Sequence, residues 1–230
     1  MNNTKPMEEL EHENHIIERV VAAMAVLAEK LRSGREVEAR VLSDLVEFLQ
    51  VFADDCHHGK EEHYLFPLLE KKGVLVSGCP LAVLLNEHDR GRRLMADLKQ
   101  TSEAYVRSGN RLKEALIGTL HRLIELYPAH VWKEDYLLLP ITDKILSDTD
   151  QESLAREFEQ YESEIGSDVH HGFEQLAESL VARIHAEEGS AAVSLRLPKH
   201  VGRWRTSGQG TTAGAPSALS TTPVRSVYGA

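Results

Sequence analysis

An eleven-residue pattern that occurs twice, 73 positions apart, decides most of what this chain can fold into. His57-His58-Gly59-Lys60-Glu61-Glu62-His63-Tyr64-Leu65-Phe66-Pro67 and His130-Val131-Trp132-Lys133-Glu134-Asp135-Tyr136-Leu137-Leu138-Leu139-Pro140 share the form H-x-x-K-E-[ED]-x-x-L-[FL]-P. The histidine and the first glutamate of each copy are four apart, so on a helix they share a face about one turn apart. An imidazole and a carboxylate in that relation can grip one metal ion, or an ion and its neighbour. A single H-x-x-x-E is common in acidic helices. Two copies with the same flanks on alternate helices are a much stronger signal.

Apolar periodicity places both copies on long helices. A first helix is expected from about Met7 to Arg32, with Ile16, Val20, Ala23, Leu27 and Leu31 on one face. A second runs from about Glu36 to Lys71 through Leu42, Leu45, Val46, Leu49, Phe52 and Ala53. A third starts near Pro80 and reaches about Arg107, and a fourth covers about Arg111 to Leu146, bent near Pro128. Gly34 and Gly109 sit in the short turns of the two hairpins, as left-handed helix ends require. No stretch alternates with period two. The fold class is therefore all-α, an antiparallel up-down-up-down four-helix bundle over residues 7–146. A C-terminal helical extension over 150–188, broken near Gly166, follows it.

In an antiparallel hairpin, residues at equal depth are equidistant from the turn. The midpoint of His12 and His57 is 34.5, in the first turn, and that of His88 and His130 is 109, in the second. The midpoint of His88 and Glu61 is 74.5, in the loop between the hairpins. Inward side chains of all four helices therefore meet at one level. His15 competes with His12 on the first helix; the midpoint favours His12 and leaves His15 beside the site. His58 and Tyr64 are further candidates for groups beside it, while Lys60 and Lys133 read as helix-surface stems. Cys56, next to His57, reads as a small core residue.

The totals exclude several classes. Net charge is −10, and all 36 acidic residues lie at or before Glu188. Up to there the chain carries −15; beyond it Arg196, Lys199, Arg203, Arg205 and Arg225 give +5. So acidic a body argues against nucleic acid as partner. Residues 189–230 are rich in Gly, Ser, Thr, Ala and Pro and are expected to be disordered. No apolar run approaches the roughly 20 residues of a membrane span. The opening MNNTKPMEELEHENH has no secretory h-region, and two cysteines make no disulfide framework, so a cytoplasmic setting is expected.

The residues EHENH on the first helix, HHGKEEHYLFP on the second, NEHD on the third and AHVWKEDYLLLP on the fourth resemble the hemerythrin-like family, or HHE cation-binding domains. The resemblance implies a four-helix bundle around two iron ions joined by an oxo or hydroxo bridge. It implies His12, His57, Glu61, His88, His130 and Glu134 as metal ligands, both glutamates bridging. Oxygen-carrying hemerythrins place a second histidine four residues after the third-helix histidine; here that residue is Arg92, which argues against reversible oxygen carriage. The expected partner is a small oxidant or gas (dioxygen, peroxide or nitric oxide), for sensing, scavenging or iron handling. The alternatives are a catalase- or peroxidase-like enzyme and an iron donor for iron-sulfur cluster repair.

Overall fold

The computed structural model describes residues 5–75, 80–166 and 169–186, so Cys79 and the basic tail from Gly189 lie outside the described residues. All regular structure among them is helical. Helix α1 is Pro6–Arg32. Helix α2 spans 39–71, α-helical over Ala39–Glu47, π-helical over Phe48–His58 and Glu61–Leu65, and α-helical again over Phe66–Lys71. Helix α3 is Leu81–Ser108, and a short 3-10 turn, Gly109–Leu112, leads into α4. Helix α4 spans 113–145, with a π-helical turn at Glu134–Leu138. Helices α5, Asp148–Gly166, and α6, Val169–Ala186, follow. None of the described helices is long and apolar enough to cross a membrane.

The helix ends follow from sequence. Gly34 takes φ 81°, which lets its N–H and that of Arg35 cap the carbonyls of Leu31 and Lys30 at the end of α1. Gly73, at φ 94°, closes α2 in the same way on Glu70 and Leu69. The proline that closes each repeat has no N–H, so it removes a donor from the helical ladder. Ahead of each proline the ladder widens, with Phe66 N–H bonding the carbonyl of Glu61 and Leu139 N–H that of Glu134. Both repeated glutamates thus stand at the start of a π-helical turn, a feature that recurs at functional sites.

Helix α1 packs against α4 and α6, α2 against α3 and α6, and α3 against α4. Their buried apolar side chains form two clusters, not one. One holds Ile17, Leu27, Leu45, Phe52, Leu98, Leu120 and Leu180; the other holds Leu10, Leu65, Leu84, Leu138, Leu154 and Phe158. On each of the first four helices the two clusters are interrupted at the same level. Glu13, His57 to Glu61, His88, His130 and Glu134 fill that level and are all buried. Each fully buried Leu or Phe above and below is worth about 1.5–3 kcal/mol, so the apolar halves stabilise a polar layer that could not stabilise itself.

Candidate metal centre

Three helices supply the inward-facing imidazoles and carboxylates of the polar layer. On α2, His57 and Glu61 share a face as the repeat dictates. His58 turns inward as well, because π-helical winding separates successive side chains by less than the about 100° of an α-helix. His88 comes from α3, and His130 and Glu134 from α4. All six are buried, with Glu61, His88 and Glu134 at 0% exposure.

Their facing atoms lack hydrogen-bond partners. Nε2 of His57, His58, His88 and His130 and both carboxylate oxygens of Glu61 and Glu134 are enclosed and unpaired. Close approaches connect them. Glu134 Oε1 lies 2.7 Å from His130 Nε2 and 3.7 Å from His88 Nε2, while its Oε2 lies 3.6 Å from His57 Nε2. Glu61 Oε2 is 3.3 Å from His88 Nε2. The donor atoms fall into two groups, His58 with His88 and His130, and His57 with Glu61 and Glu134, each within 4.8 Å of one another. An unsatisfied buried polar atom costs about 1–3 kcal/mol, more when charged, so eight of them at one level call for a cation.

Charge in the layer is arranged to suit one. Burial, together with His88, His130 and His57, pulls His58 well below the imidazole range, which keeps its Nε2 lone pair free. Burial and the neighbouring Glu134 push Glu61 up. Burial would raise Glu134 too, but His130, with His57 and His88, holds it well below the carboxylate range.

Behind the layer, every histidine has its own carboxylate on Nδ1. His57 Nδ1 pairs with Glu13 at 3.0 Å, His58 with Asp54 at 3.1 Å, His88 with Glu62 at 2.7 Å and His130 with Glu87 at 3.1 Å. A carboxylate only accepts here, so Nδ1 carries a hydrogen and Nε2 is the nitrogen that faces inward. This is how metal-binding histidines are oriented and made more basic. Each carboxylate is in turn held by a cation. Lys60 bonds Glu13, Arg92 bonds Asp54 at 2.9 Å and Glu62 at 2.6 Å, and Lys133 bonds Glu87 at 2.7 Å.

The lysines of the repeat are therefore not surface stems. In each copy the histidine and the lysine three residues later grip one carboxylate of a neighbouring helix, Glu13 of α1 or Glu87 of α3. Lys60 is fully buried and also meets Glu9 at 2.6 Å and Glu162 of α5 at 2.7 Å. The signal was in the sequence: H-x-x-K is repeated, and each partner glutamate adjoins a histidine, in His12-Glu13 and Glu87-His88.

Five of the sequence-predicted residues come together: His57, Glu61, His88, His130 and Glu134. His12 does not join them; its side chain is 62% exposed and its ring pairs with Glu174 of α6 at 3.1 Å. His15 is exposed as well. Tyr64 packs against Phe158 and Tyr161 of α5 instead of the polar layer. His58, expected beside the site, stands inside it, its ring stacked on that of His88 with centroids 3.9 Å apart. Cys56 is a buried free thiol, pushed up to about 12 chiefly by that burial. Sequence reasoning missed Tyr127, one turn before His130. It is fully enclosed, its ring lies 6.5 Å from that of His58 and 6.4 Å from that of His130, and its hydroxyl has no partner.

Comparison with known proteins agrees with this geometry. The family model of the hemerythrin HHE cation-binding domain matches residues 5–142, which include every residue of the layer. The chain belongs to the hemerythrin HHE cation-binding family. Members of this family bind metal cations, usually iron, and the paired histidine–glutamate groups are donors of that kind. An uncharacterized protein of Mycobacterium tuberculosis and one of Mycobacterium bovis are each 24% identical to this hemerythrin-family chain over 155 residues. The alignment covers 67% of the chain and 60% of each relative's length.

Proposed function

We propose that this chain holds two iron ions, bridged by an oxo or hydroxo group, between His57, His58, Glu61, His88, His130 and Glu134, and uses them to bind a small oxidant or gas. In this reading α1 to α4 form an antiparallel four-helix domain and α5–α6 extend it. The observation that carries the proposal is Glu134, whose two oxygens face different histidine groups, Oε1 toward His88 and His130 and Oε2 toward His57. A carboxylate so placed suits a bridge between two ions better than a ligand of one. Glu61 stands in the companion position, four residues after its own histidine.

Iron bound there would supply redox chemistry toward dioxygen, peroxide or nitric oxide. The chain's own residues prepare for it. The four Nδ1–carboxylate pairs fix the rings, and the apolar clusters above and below exclude water. Tyr127 keeps its proton, since burial pushes the phenol far up, and offers an unpaired hydroxyl beside His58 and His130. A buried donor at that place favours a second reading in the enzyme class, peroxide decomposition. An iron-donor role fits less well, because every residue of the layer is at most 3% exposed.

Anaerobic iron loading, metal analysis and separate titration with dioxygen, peroxide and nitric oxide test the proposal. About two irons per chain and a spectral response to at least one of the three are expected. A reconstituted protein that holds one iron or none would refute it. Sustained peroxide consumption, reduced by Tyr127→Phe at unchanged iron content, would establish the enzyme reading.

A further inference from the structure

The inner surface of α1 carries no histidine at the level of the layer. Its buried line runs Leu10, Glu13, Asn14, Ile17, with His12 and His15 on the solvent side. Leu10 and Ile17 are wholly buried in the apolar clusters on either side of the layer, so Glu13 and Asn14 are the residues α1 presents between them. Glu13 is engaged by His57, Lys60 and His170 of α6. Asn14 is 1% exposed and makes one hydrogen bond, from Nδ2 to Oδ1 of Asp135 at 3.0 Å. Asp135 follows Glu134 in the chain. Because the carboxylate accepts, the amide nitrogen must face it, and this fixes the amide's orientation. Oδ1 is thereby turned away from Asp135, enclosed and unpaired, as are the eight inward atoms of the layer.

The two donor groups of the layer are also unequal. His58, His88 and His130 make a group of three nitrogens, whereas His57, Glu61 and Glu134 contribute one nitrogen and two carboxylates. The second group is the one that α1 borders, through the Glu13–His57 pair.

We infer that α1 meets the metal centre through the amide oxygen of Asn14, which completes the His57–Glu61–Glu134 position as an oxygen-rich site, directly or through a bound water. This rests on the paired-ion reading above. A neutral amide oxygen is a weaker donor toward iron than an imidazole, and carbonyl oxygen suits harder ions such as manganese. The ion beside Asn14 therefore leaves first and exchanges most readily, and manganese competes for that position ahead of the three-histidine one.

The test uses the full chain loaded anaerobically with two equivalents of iron(II), then challenged with graded chelator while retained iron is counted and Mössbauer spectra are recorded. Two doublets are expected, one lost at roughly tenfold or more lower chelator than the other. Asn14→Leu, close in shape and without a donor, should shift the release of the first-lost iron alone by roughly tenfold. Asn14→His, which offers imidazole from the same place, should bring the two releases together. Manganese(II) added to the one-iron form should bind in the wild type and bind less tightly in Asn14→Leu. Release curves unchanged in both variants would overturn the inference while leaving the paired centre standing, and so would simultaneous loss of both irons from the wild type. If Asn14→Leu does not fold, the Asn14→His curve decides alone. A wild type that never holds a second ion would overturn the paired-ion reading and this inference with it.

Discussion

Arg92 donates from Nη2 to Oε1 of Glu62 at 2.6 Å, the same oxygen that accepts the His88 Nδ1 hydrogen at 2.7 Å. Through Nε it also reaches Asp54, the partner of His58. One guanidinium thus fixes the acceptors behind two of the four histidines, four residues beyond His88, where the oxygen carriers of this family have another histidine. Arg92→Ala should leave helix content unchanged and lower iron affinity by roughly 10–100-fold in chelator competition. Arg92→Lys should recover little of this, because an ammonium has no rigid fork to span Asp54 and Glu62. Wild-type affinity in Arg92→Ala would show that the clamp does not matter.

Adjacent glutamates should behave differently. Glu61 and Glu134 face the layer with both oxygens unpaired, whereas Glu62 faces Arg92 and the back of His88. Glu61→Ala and Glu134→Ala should each hold at most one iron per chain by metal analysis. Glu62→Ala should hold two with weaker retention. The opposite pattern would mean that the ions sit outside the layer.

The register of the centre was legible because four of its residues occur in a repeat with independently located turns. The first helix was not. The midpoint argument is good to about one residue, and on an α-helix one residue is about 100° of rotation. That suffices to exchange exposed His12 for buried Glu13 and Asn14. His58 was misplaced for the complementary reason: the expectation assumed α-helical winding where the chain is π-helical. The lysines were misread because their partners lie on other helices, and a charged stem looks the same in sequence whether it meets water or Glu13.

The two repeated lysines should differ in their cost to stability. Lys60 has no exposed surface and joins Glu9, Glu13 and Glu162, of which Glu13 is wholly buried, so Lys60→Met strands the Glu13 carboxylate away from water and should cost about 3–5 kcal/mol in denaturant unfolding. The Lys133 side chain is 23% exposed and its partner Glu87 can be solvated, so Lys133→Met should cost about 1 kcal/mol or less. Equal losses would contradict the burial argument.

Proton linkage gives a further check. Burial alone would pull His57 and His88 down, but Glu13 and Glu134 push His57 to about 10, and Glu134, Glu61 and Glu62 push His88 to about 11. A pKa raised on folding stabilises the folded state fully below the unfolded value and ceases to do so above the folded one. The cation-free protein should therefore lose melting temperature as pH rises from about 6.5 toward 10. Ions at Nε2 displace these protons, so iron uptake near pH 7 should release roughly two protons per chain into a weakly buffered indicator solution. The loaded protein should then show a flatter melting profile across the same window. Uptake without proton release would mean that the histidines are already neutral.

Two truncations should separate the extension helices from the tail. Leu154 and Phe158 of α5 are fully enclosed in one apolar cluster, and Leu180 and Ile184 of α6 in the other. Each such side chain contributes about 1.5–3 kcal/mol. Beyond packing, Tyr161 of α5 seats its hydroxyl on the carbonyl of Asp55 at 2.8 Å, in space left by the missing side chain of Gly59, and Glu162 and His170 reach Lys60 and Glu13. These contacts fall behind His57, the histidine of the oxygen-rich group. Ending the chain after Ser147 should therefore lower the melting temperature by roughly 10 °C or more, and should loosen the ion held by His57 before the one held by His58, His88 and His130. Ending it after Glu188, beyond the last apolar contact of α6, should change neither melting temperature nor iron content. A Ser147 truncation with normal stability but reduced iron would assign α5 and α6 to the metal centre alone; reduced stability with both irons retained would assign them to the core alone.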